Sequence, residues 1–166
     1  ITSEPGTFYL SGYINDAAFI LLTKDSALYF TDSRYTEEAT AACGDLAEVV
    51  TVKSNNVFST IAEYVRKFNI KTLGFEGKYV SFNTYSAMAN AFDGVKLVPV
   101  DNALDEARMV KTREELSLIK KAAAINDKAF TRMLKKVKAG VTEKQLSSEL
   151  EYQMRKLGAD GLAFTT

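Results

Sequence analysis

The feature that most constrains this chain is a change of rhythm near residue 110. Before it, short apolar runs alternate with helical stretches. After it, only helical spacing remains. One segment places Leu116, Ile119, Ala123, Phe130, Met133, Leu134 and Val137 on a single stripe. A second does the same with Leu146, Leu150, Met154 and Leu157. Two such helices cannot bury their stripes unaided, because a helix in water is held mainly by packing its apolar face. The chain is therefore expected to be one α/β domain joined to the opening helices of a second, incomplete one, with no complete catalytic site.

Local signals agree with that division. Thr112 with Glu115, and Thr142 with Gln145, have the spacing of capping boxes, in which side chain and backbone satisfy each other at a helix start. Gly140 is expected to end the first helix and Gly158 the second, with Arg155 and Lys156 opposing the negative helix end. Phe164 onward reads as the start of a strand.

In the first half, residues 17–22 and 27–30 flank the polar Lys24-Asp25-Ser26, a hairpin signal. A helix is expected from about Arg34 to Ala42, and a strand over 48–52. Val57, Ile61, Tyr64, Val65 and Phe68 recur in steps of three and four, as in an amphipathic helix. Residues 72–76 read as a strand, and Ser81 as the N-cap of a helix carrying Phe82, Tyr85, Met88 and Phe92. A last strand covers 95–100, and it should end at Pro99 or lie at an edge, because Pro99 has no amide to donate. A hairpin needs an antiparallel pair, so the expected sheet is mixed, with helices packed on it.

Charge also changes at the boundary. Residues 1–110 carry 9 basic and 14 acidic side chains, net −5, whereas residues 111–138 carry 9 and 3, net +6. The basic stretch lies largely opposite an apolar stripe, which makes it a solvated face rather than a nucleic-acid surface. No run is long enough to cross a membrane; the longest apolar one is Ala17–Leu22. Cys43 is the single cysteine, read as a small buried hydrophobe, and a cytoplasmic location is expected.

The chain has no histidine, which excludes a Ser-His-Asp triad and every His-containing zinc site. The acidic pairs Glu37-Glu38, Asp105-Glu106, Glu114-Glu115 and Glu149 with Glu151 read as solvated or capping charges. The one compact polar cluster is Thr31-Asp32-Ser33-Arg34-Tyr35-Thr36-Glu37-Glu38, at a strand end and a helix start, where open α/β sheets meet ligands. It has two readings. In one, Arg34 clamps a carboxylate and Tyr35 adds a hydroxyl contact. In the other, Asp32 or Ser33 caps the helix and Arg34 pairs with an acid.

Two elements of the first half carry a family resemblance. Phe8-Tyr9-Leu10-Ser11-Gly12-Tyr13 and Leu28-Tyr29-Phe30-Thr31-Asp32-Ser33-Arg34-Tyr35 resemble the Y-L-T-G-F-like and T-D-G-R-Y-like elements of the Xaa-Pro aminopeptidase and prolidase branch of the pita-bread metallopeptidases. Ser33 stands where that family usually has Gly. Ala107–Thr112 with Glu114-Glu115 and Ile119–Ala122 resemble the entry to its catalytic domain. Gly140–Glu143 and Glu149–Tyr152 fit the next helix of that domain, and Gly158 through Phe164 fit the approach to its first strand.

The resemblance implies a creatinase/prolidase-like N-terminal domain over residues 1–108, with a ribonuclease-H-like mixed α/β fold, and the first helices of a pita-bread domain over 109–166. It implies that a helix and strand preceding Ile1, and all the metal ligands beyond Thr166, are missing. No cofactor is expected in this segment. The parent would hold two divalent ions, often manganese, on two Asp, one His and two Glu. It would hydrolyse the bond before proline in peptides and form a homodimer through this N-terminal domain. Arg34 and Tyr35 become candidates for an interface or substrate gate. Two alternatives stay open: a catalytically inactive homologue serving as a binding module, and a creatinase-like amidinohydrolase.

Overall fold

The computed structural model describes residues 1–53 and 56–164. They fall into two compact units, Ile1–Met109 and a second beginning at Val110.

The first unit is built on the hairpin. β1 (Phe19–Leu22) pairs antiparallel with β2 (Ala27–Thr31), Phe19 opposite Phe30 and Leu22 opposite Ala27. β3 (Glu48–Thr51) lies parallel on the other side of β2, Phe30 opposite Val50. Successive strand side chains point to opposite faces. Leu21, Leu28 and Phe30 therefore join one core, and Ile20 and Tyr29 another. Both faces are covered, which is why β2 reads as a continuous apolar run rather than an alternating one.

One face is closed by α3 (Val57–Lys67) and α4 (Phe82–Ala91). Phe58, Ile61, Val65, Met88 and Phe92 pack there against Leu28 and Phe30. The aromatic rings meet edge to face: Phe30 on Tyr64 at 5.4 Å and Phe58 on Phe92 at 6.0 Å between centroids. The other face is closed by α2 (Thr36–Cys43), whose Ala39 and Cys43 are buried against Tyr29. Cys43 is the small buried hydrophobe that was expected, its thiol donating to the Ala39 carbonyl at 3.1 Å.

Several expectations need amendment. β4 (Thr72–Phe75) and β5 (Lys96–Pro99) pair in parallel with each other and form a separate two-stranded sheet. The three-stranded sheet is mixed, as the hairpin required. Pro99 ends β5, and the next amide, Val100, donates to the Phe75 carbonyl instead. The helix expected from Arg34 begins at Thr36, with Tyr35 in the cap position and no side-chain cap.

Two helices have no counterpart in the periodicity. α1 (Glu4–Ser11) starts at Ser3, whose hydroxyl accepts from the Gly6 amide, and stops at Gly12 in the left-handed region, φ +69°. α5 (Ala103–Met109) lies close against it. A Cβ on Gly6 would stand 2.6 Å from Ser3 Oγ and 2.9 Å from Leu104 Cδ1, so only glycine permits that approach.

The second unit holds α6 (Arg113–Leu134) and α7 (Glu143–Lys156). Both capping boxes are present, Thr112 with Glu115 and Thr142 with Gln145. α6 ends at Leu134, well before Gly140, because the chain turns through 135–136 first. Gly158, φ +96°, follows the cap of α7 as expected. Ala129 and Met133 are buried, while Leu116, Ile119, Phe130, Leu134 and Val137 stay substantially exposed. The strand expected from Phe164 runs into Thr165 and Thr166, which lie outside the described residues. Among the described residues no helix is long and apolar enough to cross a membrane.

Candidate functional site

The polar cluster forms where β2 ends and α2 begins. After Thr31 the chain turns at Asp32, whose carboxylate accepts from the backbone amide of Arg34 at 2.9 Å. That local turn, rather than a helix cap, is the use the fold makes of Asp32. The same carboxylate takes the Arg34 guanidinium, Nε to Oδ1 at 3.1 Å and Nη2 to Oδ2 at 2.7 Å. This is a forked, charge-assisted contact. Those hydrogen bonds hold the Asp32 carboxyl below the usual aspartate range and raise the already high pKa of Arg34.

Asp16, which the sequence did not single out, approaches from the loop before β1, 3.8 Å from Arg34 Nη2. The guanidinium also lies over the Tyr35 ring, 4.9 Å from its centroid, a cation–π contact. A hydrogen bond to Asp16 raises the Tyr35 phenol. Next to them Tyr13 donates to Glu38 at 2.5 Å, which pushes its phenol up to about 12. Burial does the same for Tyr29, also to about 12, with its hydroxyl accepting from Asn15 at 2.9 Å.

The chemistry open to this cluster is limited by those values. Its phenols stay protonated near neutrality and the Asp32 carboxylate stays ionised, so none of these groups is tuned to exchange a proton at pH 7. What remains is recognition: a guanidinium more than half exposed, between one firm acidic partner and one loose one. Arg34 and Tyr35 are thus brought together. Arg34 is already paired, which supports the ion-pair reading and leaves only the Asp16 contact exchangeable.

Among the described residues no three His, Cys, Asp or Glu side chains gather closely enough to hold an ion. The acidic pairs noted in sequence are otherwise engaged: Asp105 faces Lys78 and Arg108, Glu115 closes a capping box, and Glu149 accepts from Gln153.

The described residues also form concavities away from the cluster. A cavity of about 260 Å³ is walled by β1 and β4, with Ile1, Phe58, Met88 and Glu76 in its lining. Glu76 is its notable polar group. The carboxylate accepts from the amides of Thr2 and Ser3 at 2.7 and 2.9 Å, and from Ser3 Oγ at 2.6 Å. Burial alone would raise Glu76; these donors outweigh it and hold the carboxyl below its usual range. It is a structural clamp, and nothing local in sequence announced it. In the second unit a groove of about 890 Å³ is lined mainly by apolar residues such as Leu118, Ile125, Leu150 and Met154.

Comparison with known proteins defines the class. Residues 1–110 match the creatinase/prolidase N-terminal domain family, and residues 117–166 match metallopeptidase family M24. The chain belongs to the creatinase/prolidase N-terminal domain family. It is 34% identical to an uncharacterised peptidase of Bacillus subtilis over 99% of this chain and 46% of that protein. Among solved structures it is similar to an Xaa-Pro dipeptidase from Bacillus anthracis, with a TM-score of 0.93 and 32% identity over 98% of this chain and 45% of the other. It is also similar to an X-Pro aminopeptidase from Thermotoga maritima, with a TM-score of 0.90 and 34% identity over 99% and 46%. The chain thus spans less than half the length of each.

Proposed function

We propose that this chain is the N-terminal, non-catalytic part of a metal-dependent Xaa-Pro aminopeptidase or dipeptidase. The observation that carries the reading is the continuous likeness of 98% and 99% of the chain to an Xaa-Pro dipeptidase and an X-Pro aminopeptidase. In this reading residues 1–108 are the N-terminal domain and 109–166 open the catalytic domain. The two divalent ions, manganese by preference, sit on residues further along a longer cytoplasmic polypeptide. The segment contributes to a homodimer and to access for proline-containing peptides.

The test is a cleavage assay on Xaa-Pro peptides with Mn²⁺, run on this chain and on a longer product that contains it. Activity is expected in the longer product alone. Turnover by the purified 166-residue chain would sink the reading.

Arg34 and Tyr35 serve that access as an interface or gate. Arg34 is exposed, and its contact with exposed Asp16 is 3.8 Å long. Such a surface pair is weak, and a peptide carboxylate can displace it. Arg34→Ala in the longer protein is expected to raise KM for Xaa-Pro peptides several-fold with kcat little changed, or else to weaken the dimer. If peptide kinetics and dimerisation are both unaltered, Arg34 has no such role.

A further inference from the structure

A guanidinium has two edges, each able to take a carboxylate through two parallel hydrogen bonds. In Arg34 the inner edge, Nε with Nη2, is filled by Asp32. The outer edge, Nη1 with Nη2, is open. Among the described residues Nη1 donates to nothing, and Asp16 stands 3.8 Å from Nη2, beyond hydrogen-bonding distance. The side chain is 64% exposed, so a solute can reach that edge.

The open edge is also fixed in direction. Asp32 grips the guanidinium from one side, and its own carboxylate is fixed by the Arg34 amide. The Tyr35 ring lies against the group, 4.9 Å from ring centre to guanidinium carbon. A long side chain that is already held loses little freedom when it binds. Asp16 is held as well. Its neighbour Asn15 donates to the hydroxyl of buried Tyr29 and accepts from the Ala17 amide, both at 2.9 Å, which pins the loop. The Tyr35 hydroxyl bonds to Asp16 itself. Asp16 is thus near enough to repel an arriving anion and too far away to satisfy the guanidinium.

The group that fits such an edge is planar, negative, and carries two parallel acceptor oxygens: a carboxylate. An amide offers one acceptor oxygen and no charge. Against Asp16, an anion has to make both hydrogen bonds to gain anything. We infer that the outer edge of Arg34 takes the free C-terminal carboxylate of a short peptide, and that Asp16 competes for this edge and so sets how tightly such peptides are held. This rests on the gate reading of Arg34 and narrows it to peptides with a free C-terminus. Asp16 is then a specificity-determining residue, and Asp32 a positioning one.

The test compares steady-state cleavage of an Xaa-Pro dipeptide and of its C-terminal amide by the longer protein and its variants, with circular dichroism to verify folding. Asp16 is 74% exposed and asparagine keeps its shape, so Asp16→Asn is expected to fold normally. It is expected to lower KM for the dipeptide about two- to fivefold, the worth of an exposed ion pair, with kcat little changed. The amide is expected to show no such gain. In an Arg34→Ala background the gain is expected to vanish, because the edge that Asp16 guards is gone. If Arg34→Ala raises KM while Asp16→Asn leaves it unchanged or raises it too, the role of Asp16 is overturned and the gate reading stands. A gain equally large for the amide, or one that survives Arg34→Ala, overturns the carboxylate assignment. Arg34→Ala that alters the kinetics of neither peptide overturns this assignment and the gate reading together.

Discussion

Glu76→Gln is expected to destabilise the first unit by about 1.5–3 kcal/mol at neutral pH, the range for hydrogen bonds to a charged group. The carboxylate takes four donors from Thr2 and Ser3, the Thr2 hydroxyl the longest at 3.5 Å, and it is buried, so water cannot readily replace them. Glutamine has the same shape but offers one acceptor oxygen. Its amide nitrogen would face either the backbone donors or the serine hydroxyl. Ser3 is also the N-cap of α1, so release of this clamp loosens the helix start as well. The pH dependence follows from the lowered pKa. The unfolded carboxyl titrates near 4.5, and the folded one below it. The stabilisation is complete above the unfolded value and is lost as the pH falls through the folded one. Urea midpoints measured across that range are expected to fall in the wild type and to fall less in the glutamine variant. Equal midpoints at neutral pH would show that the clamp contributes nothing.

The clamp also shows where a sequence stops being legible. Its partners are 73 and 74 residues apart, and no periodicity links them. Features settled within a few residues were readable: the hairpin around Lys24–Ser26, the stripe of α3, the Ser81 cap and both capping boxes. Each depends on groups one or two turns apart. α1 escaped because Pro5-Gly6 looks like a turn, and the glycine is there for contact with Leu104 rather than for the helix. The division into two sheets escaped for the same reason: strand pairing is set by the whole fold and not by any one strand.

The polar cluster was half legible. Asp32, Arg34 and Tyr35 are neighbours in sequence and remain so in space. Asp16 arrives from a separate loop and decides what Arg34 is free to do. Spacing suggested a carboxylate clamp or a helix cap. The fold has a turn at Asp32 in place of a helix cap, and it pairs the Arg34 guanidinium with an acid, as the second reading had it.

Phe30→Ala is expected to have the largest effect of any single truncation, about 3–5 kcal/mol. Phe30 is fully buried on the central strand, between Phe19 on β1 and Val50 on β3, with its ring on Tyr64 of α3. Removing it takes contacts from three elements at once, and neighbours fixed by strand pairing cannot collapse into the space. A domain stable by only about 5–15 kcal/mol loses much of its margin from such a change. Phe82→Ala is the matched control. It deletes the same ring from a position that is 81% exposed. It is expected to cost less than about 0.5 kcal/mol in the monomer, as surface substitutions do. Urea unfolding followed by circular dichroism compares the two directly. The midpoint is expected to drop sharply for Phe30→Ala at an unchanged slope, because the surface exposed on unfolding is nearly the same. A loss under about 1 kcal/mol for Phe30→Ala, or equal losses for the two variants, would mean that β2 is not the centre of this core.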